Sequence, residues 1–228
     1  MPTLIAAAHS LAFKVTMKLH VMRGIPAMTT REREVAKAVL LGVPHEGELR
    51  VFEWGSGFST PWIAKCLSEA GIPFHIDSID NHQGWHERVR EMLKSRGLDG
   101  PVTLHLREFV PCWDKPGWDW AKTPECGRFA PSSQNELEYI ELPKTLGKHF
   151  DVMFVDARFR RRCLEVASEC ISPLGIVVLH DAQKTWYHPP SALFERSNMI
   201  DGERYYPLDN GDWKIWVGSH GNSLVDSL

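Results

Sequence analysis

The sequence lacks the features that mark several large classes of protein. Its five cysteines are odd in number and include no Cys-x-x-Cys pair, which argues against a disulfide framework and against a zinc site. Its formal net charge of -3 provides no polybasic face, so a nucleic-acid partner is not expected. The apolar run at residues 4–13 is too short to span a bilayer and follows no basic segment. A cytoplasmic protein with reduced thiols and no membrane span is therefore the simplest interpretation.

What the chain does contain is the composition of one globular domain. Hydrophobic residues make up 43% of the 228 residues and charged residues 24%, which suffices for a substantial core. We therefore predict a single domain over residues 1–228, with N-terminal helices in residues 1–47. The second of these helices is predicted over residues 31–41, capped by Thr29 or Thr30.

Strand-like and helix-like segments alternate through most of the chain. The predicted strands are residues 49–52, 73–79, 102–106, 150–155 and 176–179. The predicted helices between them are residues 61–70, 83–95 and 160–171. This order predicts an α/β fold with a doubly wound, mostly parallel sheet of seven strands. An Asn-Gly turn within 209–212, between strand-like segments 204–208 and 213–218, predicts a C-terminal hairpin that supplies an antiparallel edge strand.

Residues 111–138 interrupt this alternation. They hold four prolines and three tryptophans without a clear period. A loop of this length inside a compact domain is usually functional, and the tryptophans argue against simple disorder. We predict a lid insertion over the substrate site, and a structural flap at the sheet edge is the alternative.

The stretch from Val51 to Thr60 is the most informative part of the sequence. An apolar strand leads into Glu53, then into a turn with glycine at positions 55 and 57, and then into a helix. Ser59 or Thr60 is predicted to cap this helix. Glycine lets the backbone approach a ligand closely, and the helix start offers free N–H groups. The stretch therefore predicts a cradle for a nucleotide-like ligand.

Polar residues end four of the predicted strands, where an open parallel sheet binds its ligands. They are Glu53, Asp80, Asp156 and the pair His180-Asp181. An acid at the position of Asp80 accepts hydrogen bonds from a ribose diol in dinucleotide sites. The alternative role for Asp80 is to cap the helix that begins at Gln83. A dinucleotide fingerprint would need glycine at the position of Thr60, which disfavours NAD.

The segment Phe-Glu-Trp-Gly-Ser-Gly-Phe-Ser-Thr at 52–60 resembles the first motif of class I S-adenosylmethionine-dependent methyltransferases, in an O-methyltransferase-like branch. Residues 78–82, 151–156 and 175–181 resemble the second motif and the fourth and fifth strands of that family. The resemblance implies S-adenosylmethionine as cofactor, with the glycine turn beside its methionine part and the second-strand acid on its ribose. The implied cofactor-binding residues are Glu53, Gly55, Ser56, Gly57, Ser59, Thr60, Asp80 and Asn81. Ser59 stands where many family members have a third glycine.

The resemblance also places three residues at the chemical end of the site. Metal-dependent O-methyltransferases have an acid at the end of strand four and two oxygen ligands at the end of strand five, which correspond to Asp156, His180 and Asp181. Histidine suits Mn²⁺, Fe²⁺ or Zn²⁺ better than Mg²⁺. Three interpretations stay open: a divalent metal held by all three residues, His180 as a general base, or a structural role.

Four arginines crowd the helix start after the fourth strand, where positive charge is unfavourable. They are Arg158, Arg160, Arg161 and Arg162. They indicate either recognition of an anionic acceptor or a solvated face with surface ion pairs. Cys163 and Cys170 share a face of this helix and are predicted to face the core.

The predicted activity is methyl transfer from S-adenosylmethionine to an oxygen of a small molecule or saccharide. Two alternatives stay open. One is a non-catalytic binding or scaffold module with a methyltransferase-like fold, and the other is an NAD(P)-dependent oxidoreductase.

Overall fold

The computed structural model describes residues 24–110, 131, 133–189, 192–202 and 212–228. Three predicted features lie partly or wholly outside these residues. They are the N-terminal helices up to residue 23, most of the predicted lid and the predicted strand 204–208.

Seven strands form one sheet in the order β3-β2-β1-β4-β5-β7-β6. They are β1 (Leu49–Trp54), β2 (Phe74–Asp80), β3 (Val102–Leu106), β4 (Phe150–Val155), β5 (Ile171–Leu179), β6 (Arg196–Asp201) and β7 (Lys214–Ser219). Strands β1 to β5 pair in parallel, and β7 runs antiparallel to both β5 and β6. The order reverses between β1 and β4, which confirms the predicted doubly wound fold and puts a ligand crevice at that switch point.

Within the described residues, five α-helices cover the two faces of the sheet. They are α1 (Thr30–Gly42), α2 (Ser59–Glu69), α3 (Gln83–Ser95), α4 (Gln134–Leu146) and α5 (Arg160–Cys170). One core cluster packs α1, α2 and α3 against the sheet, and a second packs α4 and α5 against the opposite face. Cys163 and Cys170 are buried in the second cluster, as predicted. Short 3₁₀ helices follow at Thr185–Tyr187 and Ser223–Ser227.

Helix α1 begins as the sequence predicts. The Thr29 hydroxyl accepts a hydrogen bond from the backbone N–H of Glu32, and the Glu32 carboxylate accepts one from the N–H of Thr29. This reciprocal pair is a capping box, which satisfies two backbone donors that the helix itself leaves free. It also fixes Glu32, which is fully buried, at the edge of the candidate site.

Helix α2 departs from the prediction. It begins at Ser59 rather than Pro61, and its N-terminus has no side-chain cap. The Ser59 and Thr60 hydroxyls donate to the carboxylate of Glu53 instead. The predicted cap was wrong because Ser59 and Thr60 are the first two residues of the helix, whereas a capping residue precedes it.

Two boundaries were also wrong. Residues 134–138, assigned to the predicted lid, form the start of α4, which Ser133 caps through a second capping box with Glu136. Strand β5 begins at Ile171 rather than at residue 176, and its pairing with β4 changes register between Phe150 and Val152. On the outer side of the sheet, β7 pairs with β6 (Arg196–Asp201), which precedes the predicted strand 204–208. None of the described helices is both long and apolar enough to cross a bilayer.

Candidate active site

A cavity of about 870 Å³ opens at the carboxyl ends of β1, β2 and β4. Its wall includes the glycine turn after β1, the polar end of β2 and the loop between β4 and α5. The segment before α1, residues 26–28, closes another side. The predicted site residues on this wall are Gly55, Ser56, Gly57, Ser59, Asp80, Asn81 and Asp156. The cavity lies where the topology of the sheet predicts a ligand.

The glycine turn is shaped by its contact with β4. Gly55 has a φ of +94°, and a Cβ atom there would overlap the backbone carbonyl oxygen of Asp156. The backbone N–H groups of Gly55 and Ser56 both donate to the carbonyl of Ile79, at 2.8 and 3.2 Å. Gly57 is different, because a Cβ atom there would meet only ordinary contacts at 3.8 Å or more. Glycine is therefore required by the fold at position 55, whereas at position 57 it leaves the backbone open towards the cavity.

Glu53 organises this turn from behind the cavity wall. Its buried carboxylate accepts hydrogen bonds from Ser59 Oγ and Thr60 Oγ1 at 2.5 Å and from Ser78 Oγ at 2.6 Å. Burial raises the pKa of Glu53 to about 7, although the three hydroxyl donors oppose this shift. Glu53 and Thr60 do not line the cavity. Both therefore position the turn and the start of α2 rather than form the wall.

Asp80 ends β2 with its carboxylate at the cavity. Its Oδ1 atom accepts the backbone N–H of His82 at 2.7 Å. Burial raises the pKa of Asp80 to about 6, although that hydrogen bond opposes the shift. The cap of α3 is His82, whose Nδ1 accepts the N–H of Trp85, so Asp80 is not the capping residue. Asn81 donates to the carbonyl of Phe109 and thereby ties β2 to the segment after β3.

The ends of β4 and β5 bring the three predicted chemical residues together. Each of Asp156, His180 and Asp181 offers one potential ligand atom, and these three atoms lie within 4.8 Å of one another. Asp156 keeps 30% of its side chain exposed and lines the cavity, whereas Asp181 is 15% exposed. Asp156 is therefore the member of the three that a cavity ligand can reach.

Arg160 lies between the two carboxylates. Its Nη2 is 2.5 Å from Asp156 Oδ1, and its Nη1 is 3.0 Å from Asp181 Oδ2. The guanidinium also lies over the ring of Tyr187, at 4.5 Å from the ring centre. Arg162, by contrast, pairs with Glu165 on the outer face of α5. The solvated-face interpretation therefore holds for Arg162 and was wrong for Arg160.

His180 is held between two carboxylates. Its Nδ1 is 3.1 Å from Asp156 Oδ1, and its Nε2 is 3.6 Å from Glu32 Oε1. Burial opposes the charge, but these carboxylates overcome it and raise the pKa of His180 to about 10. His180 and Arg160 together hold the pKa of Asp156 well below its usual range, against the effect of burial. The two carboxylates therefore favour the protonated form of His180, which cannot accept a further proton as a general base.

This arrangement does not fit a resident divalent ion. Asp156 Oδ1 already contacts Arg160 and His180, and Asp181 Oδ2 contacts Arg160 and Lys184. A divalent ion bound here would take carboxylate oxygens and, from His180, a neutral imidazole nitrogen as ligands. It could use Asp156 Oδ1 and Asp181 Oδ2 only if Arg160 were displaced.

The sequence does not indicate that Glu32 and Arg160 join this cluster. By its position in the sequence, Glu32 is an ordinary acid in the first turn of a predicted helix. For Arg160 the sequence does contain a signal. A cation is unfavourable at a helix N-terminus, and Asp156, four residues earlier at the end of a strand, is close enough to pair with it.

Comparison with known proteins assigns this architecture to a family. Residues 52–182, more than half of the chain, match the family described as a methyltransferase domain. The chain therefore belongs to that family, which confirms the resemblance seen in its motifs. No protein of curated function matches the chain in sequence.

Solved structures show the same fold at low sequence identity. The O-methyltransferase TomG of Streptomyces achromogenes, involved in tomaymycin synthesis and solved with S-adenosylmethionine, has 15% identity and a TM-score of 0.53. The alignment covers 92% of this chain and 90% of TomG. A methyltransferase of Geobacter sulfurreducens has 14% identity, a TM-score of 0.53 and coverages of 90% and 86%. A candidate rRNA methylase of Clostridium thermocellum has 9% identity, a TM-score of 0.53 and coverages of 84% and 97%.

Proposed function

We propose that this chain transfers a methyl group from S-adenosylmethionine to an oxygen atom of a small-molecule or saccharide acceptor. The observation that carries this proposal is the position of Asp156. Its carboxylate lines the cavity, and its backbone carbonyl packs against Gly55 of the glycine turn. One residue thus joins the cofactor cradle to the place where an acceptor would enter.

The cradle fits S-adenosylmethionine through groups already on its wall. The open backbone at Gly57 and the start of α2 would receive the methionine part, and Asp80 would accept hydrogen bonds from the ribose hydroxyls. When bound, this cofactor supplies an electrophilic methyl group on a positively charged sulfur. Glu53 would act through the hydroxyls of Ser59 and Thr60, which fix the turn and the helix start.

Asp156 would orient the acceptor. Among the described residues, its Oδ2 atom has no hydrogen-bond or ion-pair partner, whereas Oδ1 is held by Arg160 and His180. Oδ2 would accept a hydrogen bond from the acceptor hydroxyl and direct the oxygen towards the methyl group. Because the pKa of Asp156 is strongly lowered, this carboxylate would hold the hydroxyl without deprotonating it in advance. Positioning would then supply much of the rate enhancement.

A transfer assay tests the proposal. The protein is incubated with methyl-labelled S-adenosylmethionine and a panel of phenols, catechols, sugars and glycosides. Label recovered on an acceptor oxygen, with an equal amount of S-adenosylhomocysteine, would support it. Label on nitrogen or carbon would contradict the oxygen acceptor, and cofactor binding without transfer to any acceptor would favour a binding module instead. A thermal shift with NADH but not with S-adenosylhomocysteine would contradict the cofactor assignment.

A further inference from the structure

Arg160 fills the position that a metal ion would need at the ends of β4 and β5. Its two terminal nitrogens contact carboxylate oxygens of two different residues, Asp156 and Asp181. Its side chain is only 9% exposed, and the Tyr187 ring covers one face of the guanidinium. A planar guanidinium with fixed donors suits such a bridge better than a flexible ammonium would.

Among the described residues, the carboxylates of this bridge already have a cationic partner. Asp156 and Asp181 both contact the guanidinium of Arg160. The imidazole of His180 lies between Asp156 and the buried carboxylate of Glu32. A divalent ion added here would stand beside the buried guanidinium, and the repulsion between the like charges would be costly.

We propose that the guanidinium of Arg160 is the permanent cation of this site and replaces a divalent ion. Removal of the guanidinium should convert Asp156, His180 and Asp181 into a site for a divalent transition-metal ion. This inference goes beyond the proposed function, because cation binding requires neither S-adenosylmethionine nor an acceptor. Arg160 acts through Asp156 and is therefore a positioning residue.

Titration with Mn²⁺, followed by the electron paramagnetic resonance signal of the free ion, tests the proposal on the whole chain. The wild type should bind Mn²⁺ at this site at least roughly 100-fold more weakly than Arg160→Ala. Arg160→Ala should bind one Mn²⁺ per chain, because it leaves the carboxylates of Asp156 and Asp181 without their shared cation. Arg162→Ala is the matched control, since it removes a guanidinium from the same helix without touching the cluster. It should behave like the wild type.

The proposal can also be tested if Arg160→Ala does not fold. The double variant Arg160→Ala/Asp181→Asn removes one carboxylate together with the guanidinium, and it should fold and bind Mn²⁺ more weakly than Arg160→Ala. If Arg160→Ala is unfolded alone, Mn²⁺ should restore its thermal unfolding transition. Stoichiometric Mn²⁺ binding by the wild type that Asp181→Asn abolishes would overturn the proposal. A folded Arg160→Ala that binds Mn²⁺ no better than Arg162→Ala would overturn it as well.

Discussion

The cofactor end of the cavity and its chemical end bury their acidic groups in different ways. After β1, one carboxylate, that of Glu53, is surrounded by three neutral hydroxyl donors. After β4 and β5, Asp156 and Asp181 are held by charged partners. Hydroxyls fix a turn without adding charge near a cationic cofactor, whereas ion pairs keep a carboxylate ionised where we propose that the acceptor binds. The two ends can therefore be disturbed separately.

The largest expected effect is at the charged end. Asp156→Asn should lower kcat for methyl transfer by roughly 100- to 1,000-fold, because it replaces the carboxylate that is proposed to orient the acceptor. Binding of S-adenosylhomocysteine should stay close to that of the wild type. Initial rates and calorimetry on the same preparation check both expectations. Equal loss of rate and of cofactor affinity would mean that the two ends are not separate.

At the cofactor end of the cavity, the stability of the fold should depend on the backbone conformation of the glycine turn. Gly55→Ala should lower the free energy of unfolding by about 4 kcal/mol, because it adds a clash with the Asp156 carbonyl to the strain of a positive φ. Gly71→Ala is the matched control, since Gly71 has a φ of +67° but open space around its Cβ position. It should cost only about 1 kcal/mol. Urea unfolding of both variants measures the difference, and equal costs would show that the contact with β4 is unimportant.

The pH dependence of stability separates the two kinds of burial. The pKa of Glu53 is raised from 4.5 to about 7 in the folded state, so folding favours its protonated form. Below pH 4.5 the raised pKa of Glu53 stabilises the folded state by about 3 kcal/mol. This stabilisation is lost as the pH rises through 7. The difference in unfolding free energy between wild type and Glu53→Gln should change by this amount between pH 4 and pH 8. A constant difference would contradict the raised pKa.

The smallest effect concerns the ribose position. Asp80→Ala should weaken S-adenosylhomocysteine binding by roughly 30-fold, which corresponds to a lost hydrogen bond to a charged group. Asp99→Ala is the control, because Asp99 is exposed in the turn before β3. Calorimetric titration compares the two variants. Unchanged affinity of Asp80→Ala for S-adenosylhomocysteine would show that the ribose does not bind at Asp80.

The sequence displays the glycine-turn end of the cavity more completely than the charged end, for a physical reason. Glu53, the glycine turn and Ser59 are neighbours in the chain, so one short segment displays the strand, the turn and the helix start together. The charged end joins α1, α5 and the end of β5, which come together only in the folded sheet. Glu32 resembled an ordinary capping acid, and Arg160 resembled one of four similar arginines. Spacing alone does not distinguish a buried guanidinium from a solvated one.

Two predicted boundaries were wrong because of tertiary contacts. Ser59 and Thr60 have the composition of a helix cap, but they lie inside the first turn of the helix, where their hydroxyls donate to the buried carboxylate of Glu53. Pro173 and Gly175 have the composition of a turn, yet they lie within β5, where its pairing with β4 is irregular. In both cases a tertiary contact overrides the local preference.

A crystal structure with S-adenosylhomocysteine bound tests the central claim most directly. The account predicts one ligand per chain, with its ribose on the Asp80 carboxylate and its sulfur beside the Gly55 turn, facing Asp156. Occupation of this cavity with the sulfur turned away from Asp156, or binding at another surface, would contradict it.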